Sequence, residues 1–173
     1  LSNHNLAEIN EAAEILGAEG LKIAAIQNHY SLLNRSSETS GILDYCKEND
    51  ITFFSYMVLE QGALSGKYDT KHPFPENSDR GAVYNPMLAQ LEELNAGMKE
   101  IADRRGVSVA LLPIAWAIAK GTLPIIGVTK VYQVEDAVKG ARLELTDEEI
   151  ETLERLAGKT PLNVIRFWEK EMK

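Results

Sequence analysis

The 173-residue chain carries a formal net charge of -8, with 45% apolar and 25% charged residues. Such a composition suits a globular chain with one sizeable core. Its acidic balance argues against nucleic acid and against an anionic membrane surface as partners, because both repel it. The single cysteine, Cys46, excludes a disulfide framework and has no nearby ligand set for zinc, so it reads as a buried helical thiol. No segment is apolar over the length a bilayer requires. No signal peptide is visible, and the expected location is cytoplasmic. One partial domain is expected over residues 1–173.

The first residues read as a strand already ending. Asn5 and Glu8 make a capping box, and Leu6, Ile9, Ala12, Ala13 and Leu16 recur at helical spacing up to Gly17 and Gly20. "LKIAAIQ" is a short apolar strand. "SSETSGILDYCKEN" offers a cap and a helix with Ile42, Leu43 and Cys46 inward, and "ITFFSYMV" is the next strand. Residues 69–86 are rich in turn formers and read as a long loop. Asn85-Pro86 opens a helix with the stripe Leu88, Leu91, Leu94, Met98 and Ile101, ended by Gly106. Ser108 is expected to cap "VALLPIAWAIAK", with Pro113 bending it or removing a hydrogen bond. "TLPIIGV" is a third strand, "VYQVEDAVKGA" a short helix, and Thr146 with Glu149 caps a last one. The tail, 159–173, holds an aromatic pair, Phe167-Trp168, expected to pack.

Apolar strands separated by helices predict an α/β fold with a parallel sheet and crossover helices. Three strands and a stub fit either a small open sheet or part of a barrel. In such folds chemistry sits at the carboxyl ends of the strands. Ser2 and Asn3 stand there, with Gln27, Asn28, His29 and Tyr30, then Tyr56 and the loop "LEQGALSGKY", then Gly127, Val128, Thr129 and Lys130. Amides, hydroxyls, a flat ring, glycines and two lysines suit a ligand with a carboxamide, a planar ring and phosphates. The three histidines are scattered, which does not suit a metal, and no Ser-His-Asp arrangement is evident. Each residue has a plainer reading as core filler, cap or solvated charge. It is their coincidence at every strand end that points to a site.

"LSNHN", "IQNHYSLLNR", "FFSYMVLEQGALSGKY" and "LPIIGVTKVYQVEDA" together resemble the C-terminal half of the aldo-keto reductase family, over nearly the whole chain. The resemblance implies parallel βα units forming the C-terminal half of a TIM (β/α)8 barrel, from the end of strand five to helix eight. It implies reduction of aldehydes and ketones with NADPH. Ser2, Asn3 and Gln27 match the trio that binds the nicotinamide carboxamide, and Tyr56 matches the tyrosine that stacks on the ring. The loop containing Val58, Leu59, Gln61, Gly62, Leu64, Gly66 and Lys67 matches the one over the pyrophosphate. Gly127, Val128, Thr129 and Lys130 match the turn at the 2′-phosphate. Gln133, Asp136 and Ala137 fall where the family often has Arg, Glu and Asn, and Met57 stands where serine is common.

The family's catalytic tyrosine, aspartate, lysine and histidine come from its first four strands, and nothing here matches them. The expected role is therefore cofactor binding without a catalytic residue, in an enzyme whose carbonyl substrate is not readable. The alternative is a stand-alone half-barrel that associates with itself or with a partner carrying the N-terminal half.

Overall fold

The computed structural model describes residues 1–170 and 172. Eleven elements alternate along the described chain: α1 (Leu6–Ala18), β1 (Ala25–His29), α2 (Ser36–Thr39), α3 (Ile42–Glu48), β2 (Thr52–Tyr56), α4 (Asp79–Tyr84), α5 (Leu88–Arg105), α6 (Leu111–Ala119), β3 (Leu123–Pro124), α7 (Val131–Ala141) and α8 (Asp147–Gly158). The strands lie in the order β1-β2-β3 and all pair in parallel. The first residues add a stub on the far side of β1, through a Ser2–Gln27 bridge and a bond from the Gln27 amide to the Leu1 carbonyl. This is an α/β arrangement of parallel βα units, as predicted.

Local chemistry set most element ends. The Asn5 side chain accepts from the Glu8 amide while the Glu8 carboxylate accepts from the Asn5 amide. The same reciprocal pair joins Thr146 and Glu149, so both capping boxes form. The stripe Leu88, Leu91, Leu94, Met98 and Ile101 is buried throughout, and Gly106 ends α5 at φ +65°, as a left-handed C-terminal glycine does.

Several expectations are corrected. The first strand begins at Ala25, not at Leu21, and runs on through Gln27 to His29. Helix α6 starts at Leu111 with no side-chain cap; the Ser108 carbonyl, not its hydroxyl, accepts the Leu111 amide. Pro113 is thus the third residue of α6, where its missing N–H would lack an intrahelical partner anyway, so it removes no helical hydrogen bond. The third strand shrinks to two residues at the end of the strand order, although the Ile125 amide still donates to the Ser55 carbonyl at 2.8 Å. The segment 69–86 contains α4 and is anchored by Phe74 and Tyr84, both buried. Phe167 and Trp168 touch edge-on at 4.8 Å but do not pack on the body, being 95% and 53% exposed.

The core gathers α1, α3, α5 and α6 around the sheet through Ile9, Ile26, Ile42, Phe53, Leu91 and Trp116. Trp116 stacks on Tyr30 with ring centroids 5.0 Å apart. Helix α8 lies on α5, where a Cβ at Gly97 would run into Leu156 Cδ1. A polar cluster ties α2, α6 and α8 together. Glu38 accepts from Arg35 at 2.8 Å, Tyr30 at 2.9 Å and Lys120 at 2.7 Å. Burial works against the Glu38 carboxylate, but these three donors hold its pKa down at about 2. Cys46 is buried, and burial pushes its thiol up to about 11.

Candidate cofactor site at the strand ends

Register brings the candidates together. β1 and β2 pair Gln27 with Phe54 and His29 with Tyr56, so both strands end level. Beside β1, Asn3 turns the chain into α1 at φ +57°, a left-handed conformation that asparagine tolerates. Its amide donates to the Gln27 carbonyl at 3.0 Å and to Asn28 Oδ1 at 2.9 Å. Asn28, fully buried, also donates to the His4 carbonyl at 3.2 Å. With Asn3 fixed by these bonds, its Oδ1 lies 2.6 Å from the Tyr56 hydroxyl. Ser2, Asn3, Gln27 and Tyr56 therefore share one patch. The Ser2 hydroxyl and the Gln27 side chain make no hydrogen bond among the described residues.

The loop after β2 is strained. Met57, Glu60 and Gln61 have φ of 61°, 46° and 53°, and Gly62 and Gly66 have φ of 109° and 72°. Positive φ in non-glycine residues costs about 1–3 kcal/mol each and persists only where the surroundings enforce it. Gly66 has a second constraint: a Cβ there would stand 2.9 Å from Val109. Val58 and Leu64 point into the core at 1% and 0% exposure, so they can offer a ligand only backbone groups. Leu59 packs on the same core, whereas Gln61 and Lys67 face solvent. The Lys67 ammonium stands 5.2 Å from the Tyr68 ring centroid.

Gly127, Val128, Thr129 and Lys130 form an exposed run after β3. Gln133 turns back onto it: its Oε1 accepts the amides of Thr129 at 2.7 Å and Lys130 at 2.9 Å. Asp136 pairs with Lys139 at 3.2 Å. Lys130 has no carboxylate partner among the described residues, and it stands immediately before α7, where the helix terminus favours an anion.

A buried charged network lies at the same strand ends, and reasoning from sequence missed its two carboxylates. His29, 2% exposed, stands between Glu60 and Glu169. Its Nε2 meets Glu60 Oε1 at 2.7 Å and its Nδ1 meets Glu169 Oε2 at 2.9 Å. Burial alone would lower the His29 pKa; bonds to Glu169 and Glu60 outweigh it and raise the value to about 9. Both ring nitrogens then donate. Glu60, fully buried, also accepts from Tyr84 at 2.8 Å and from Ser31. Burial works against the Glu169 carboxylate, yet its bond from His29 leaves its pKa lowered. The Tyr56 hydroxyl lies 3.0 Å from Glu169 Oε1. Burial, then the Glu169 charge, raises the Tyr56 pKa, so the phenol keeps its proton. In the sequence only His29, at the end of a predicted strand, marked this network.

Two shallow depressions, of about 520 and 330 Å³, lie elsewhere, one beside α1 and Met172 and one between α5 and α8. Neither is lined by a predicted cofactor residue.

Comparison with known proteins agrees with the architecture. Residues 1–157 match the aldo/keto reductase family. The chloroplastic pyridoxal reductase of Arabidopsis thaliana is 32% identical over 167 residues, which cover 96% of this chain and 45% of that protein. The versiconal hemiacetal acetate reductase of Aspergillus parasiticus is 28% identical over 137 residues, covering 77% and 40% respectively. A glycerol dehydrogenase from Gluconobacter oxydans superposes with a TM-score of 0.78 at 23% identity, over 98% of this chain and 51% of that one. The chain thus spans about half the length of the relatives it matches, and its parallel βα units are part of a TIM barrel. By the extent of the match, this chain belongs to the aldo/keto reductase family.

Proposed function

We propose that the chain is the C-terminal, cofactor-binding part of an NADPH-dependent carbonyl reductase. The observation that carries this reading is the shared patch of Ser2, Asn3, Gln27 and Tyr56, locked by the 2.6 Å contact between Asn3 and Tyr56. Two of its polar side chains, Ser2 and Gln27, have no protein partner among the described residues, which fits a carboxamide with one donor and one acceptor group. Tyr56 offers a ring face, and the Asn3 contact fixes its orientation. The backbone of 58–67 would hold the pyrophosphate, with Lys67 at its rim.

Lys130 and the amides before α7 would meet the 2′-phosphate, which favours NADPH over NADH. Gln133 already accepts two of those amides, so a phosphate must displace it or rely on Lys130. When bound, the nicotinamide supplies the hydride. The residues here bind and orient it, and the proton donor for the carbonyl oxygen comes from elsewhere in the barrel. The reductases among the relatives support reduction of a carbonyl compound as the activity of the whole enzyme.

Titration of the protein with NADPH, followed by nicotinamide fluorescence, tests the reading. Saturable binding weakened about tenfold by Tyr56→Ala is expected, with no turnover of a model aldehyde. Turnover that Tyr56→Ala abolishes would refute the cofactor-only assignment.

A second reading has its own support. β3 is a sheet edge; its Leu123 and the following Ile125 are 52% and 44% exposed, and α7 exposes Val131, Val134 and Val138 along one stripe. That surface suits association with another chain completing the sheet. A monomer at high concentration by sedimentation would count against it.

A further inference from the structure

The C-terminal segment sets four described anchors across the strand ends. Arg166, 7% exposed, donates to Gln61 Oε1 at 3.1 Å and stacks over Tyr84 at 4.7 Å. Glu169 bonds His29 and Tyr56. Lys170 reaches Glu8 at 2.6 Å. Met172 is buried, its sulfur 3.6 Å from the Asn28 side-chain nitrogen.

The tail contributes Arg166 and Glu169, and the body contributes His29 and Glu60, so docking leaves no net charge buried. Glu169 is paired with His29, whereas Arg166 has no carboxylate partner among the described residues and its Nε is buried without a hydrogen bond, which makes its docking the costlier half of the contact.

Two of its contacts, at Tyr56 and Gln61, fall on groups that the cofactor reading assigns to a ligand. The Tyr56 hydroxyl carries one proton and faces two acceptors, Asn3 Oδ1 and Glu169 Oε1. Gln61, in the loop assigned to the pyrophosphate, is held by Arg166.

We propose that this tail is a strap that closes the strand-end face by docking Glu169 on Tyr56 and Arg166 on Gln61, and that strap docking and dinucleotide binding exclude one another. The proposal rests on the cofactor reading above. It makes the tail a built-in competitor: the site opens only when Glu169 and Arg166 leave.

The test uses the full chain and its Glu169→Gln variant, with NADPH as the probe. The His29 Nδ1–H meets Glu169 Oε2 across the tail–body boundary at 2.9 Å, so hydrogen exchange of that ring proton reports docking. In Glu169→Gln that ring proton should exchange about tenfold faster, and NADPH should bind about tenfold more tightly; loss of one charged hydrogen bond corresponds to about that factor. Saturating NADPH should speed the same exchange in the unaltered protein. Arg166→Gln should shift both readouts in the same direction. The strap is overturned if NADPH slows the exchange, which would make the tail a wall of the bound site. It is equally overturned if Glu169→Gln leaves NADPH affinity unchanged. Failure of the cofactor reading has a separate signature, no NADPH binding to either protein, and that result overturns both.

Discussion

Glu60→Gln is the sharpest probe of the strand-end network. The carboxylate is fully buried and accepts from His29, Ser31 and Tyr84. Glutamine keeps the shape and one acceptor, but removes the charge and turns an N–H toward donors. Removing one partner of a buried charged cluster costs about 2–4 kcal/mol when part of the hydrogen bonding survives. The pH profile discriminates further. His29 rises from 6.5 to about 9 on folding, equivalent to about 3 kcal/mol. A raised pKa means this stability is complete below pH 6.5 and is lost as pH climbs through 9. The groups facing His29 are Glu60 from the β2 loop, Glu169 from the tail and the Tyr56 ring at 5.6 Å. Urea unfolding at pH 6 and pH 9.5 should therefore differ by about 3 kcal/mol in the unaltered protein and by clearly less in Glu60→Gln. NMR titration of His29 should show its pKa falling in the variant. An unchanged pKa, or an equal alkaline loss of stability in both proteins, would refute the reasoning.

Other consequences are independent of that network. Gly66→Ala combines a φ of 72° with a Cβ 2.9 Å from Val109, and should cost about 1–3 kcal/mol in urea unfolding; adding Val109→Ala should recover the steric part only. Trp116→Ala removes a fully buried ring and should cost about 3–5 kcal/mol. Lys130→Ala should weaken NADPH binding and leave NADH binding unaltered, measured by fluorescence titration; equal loss for both cofactors would remove Lys130 from the phosphate. At the acid end, stability carried by Glu38 is present above its unfolded value near 4.5 and is lost as pH falls toward about 2, so Glu38→Gln should blunt the last part of the acid unfolding curve.

What was legible in the sequence was what depends on near neighbours. The capping boxes at Asn5 and Thr146 each join residues three positions apart, and the α5 stripe needs only helical spacing. Strand limits were less legible. The apolar run 21–27 continues a pattern that the sheet takes up only from Ala25, and β3 stops at Pro124 because pairing, not hydropathy, sets its length. Pro113 misled because its cost depends on its place relative to the helix start. The site divides in the same way. Ser2, Gln27 and Tyr56 lie at ends of apolar runs and could be marked. Glu60 sits in a polar loop that reads as solvated, and its partner His29 is 31 residues away. The His29–Glu169 and Arg166–Gln61 contacts bridge 140 and 105 residues, separations that no local pattern encodes.

The lone cysteine offers a clock. Cys46 sits on α3 at 3% exposure with its pKa pushed up to about 11, so at neutral pH about one thiol in ten thousand is ionised and almost none is reachable. Alkylation then waits on the separation of α3 from the sheet. A thiol reagent, read by mass, would time how often this flank of the protein breathes, without any engineered label.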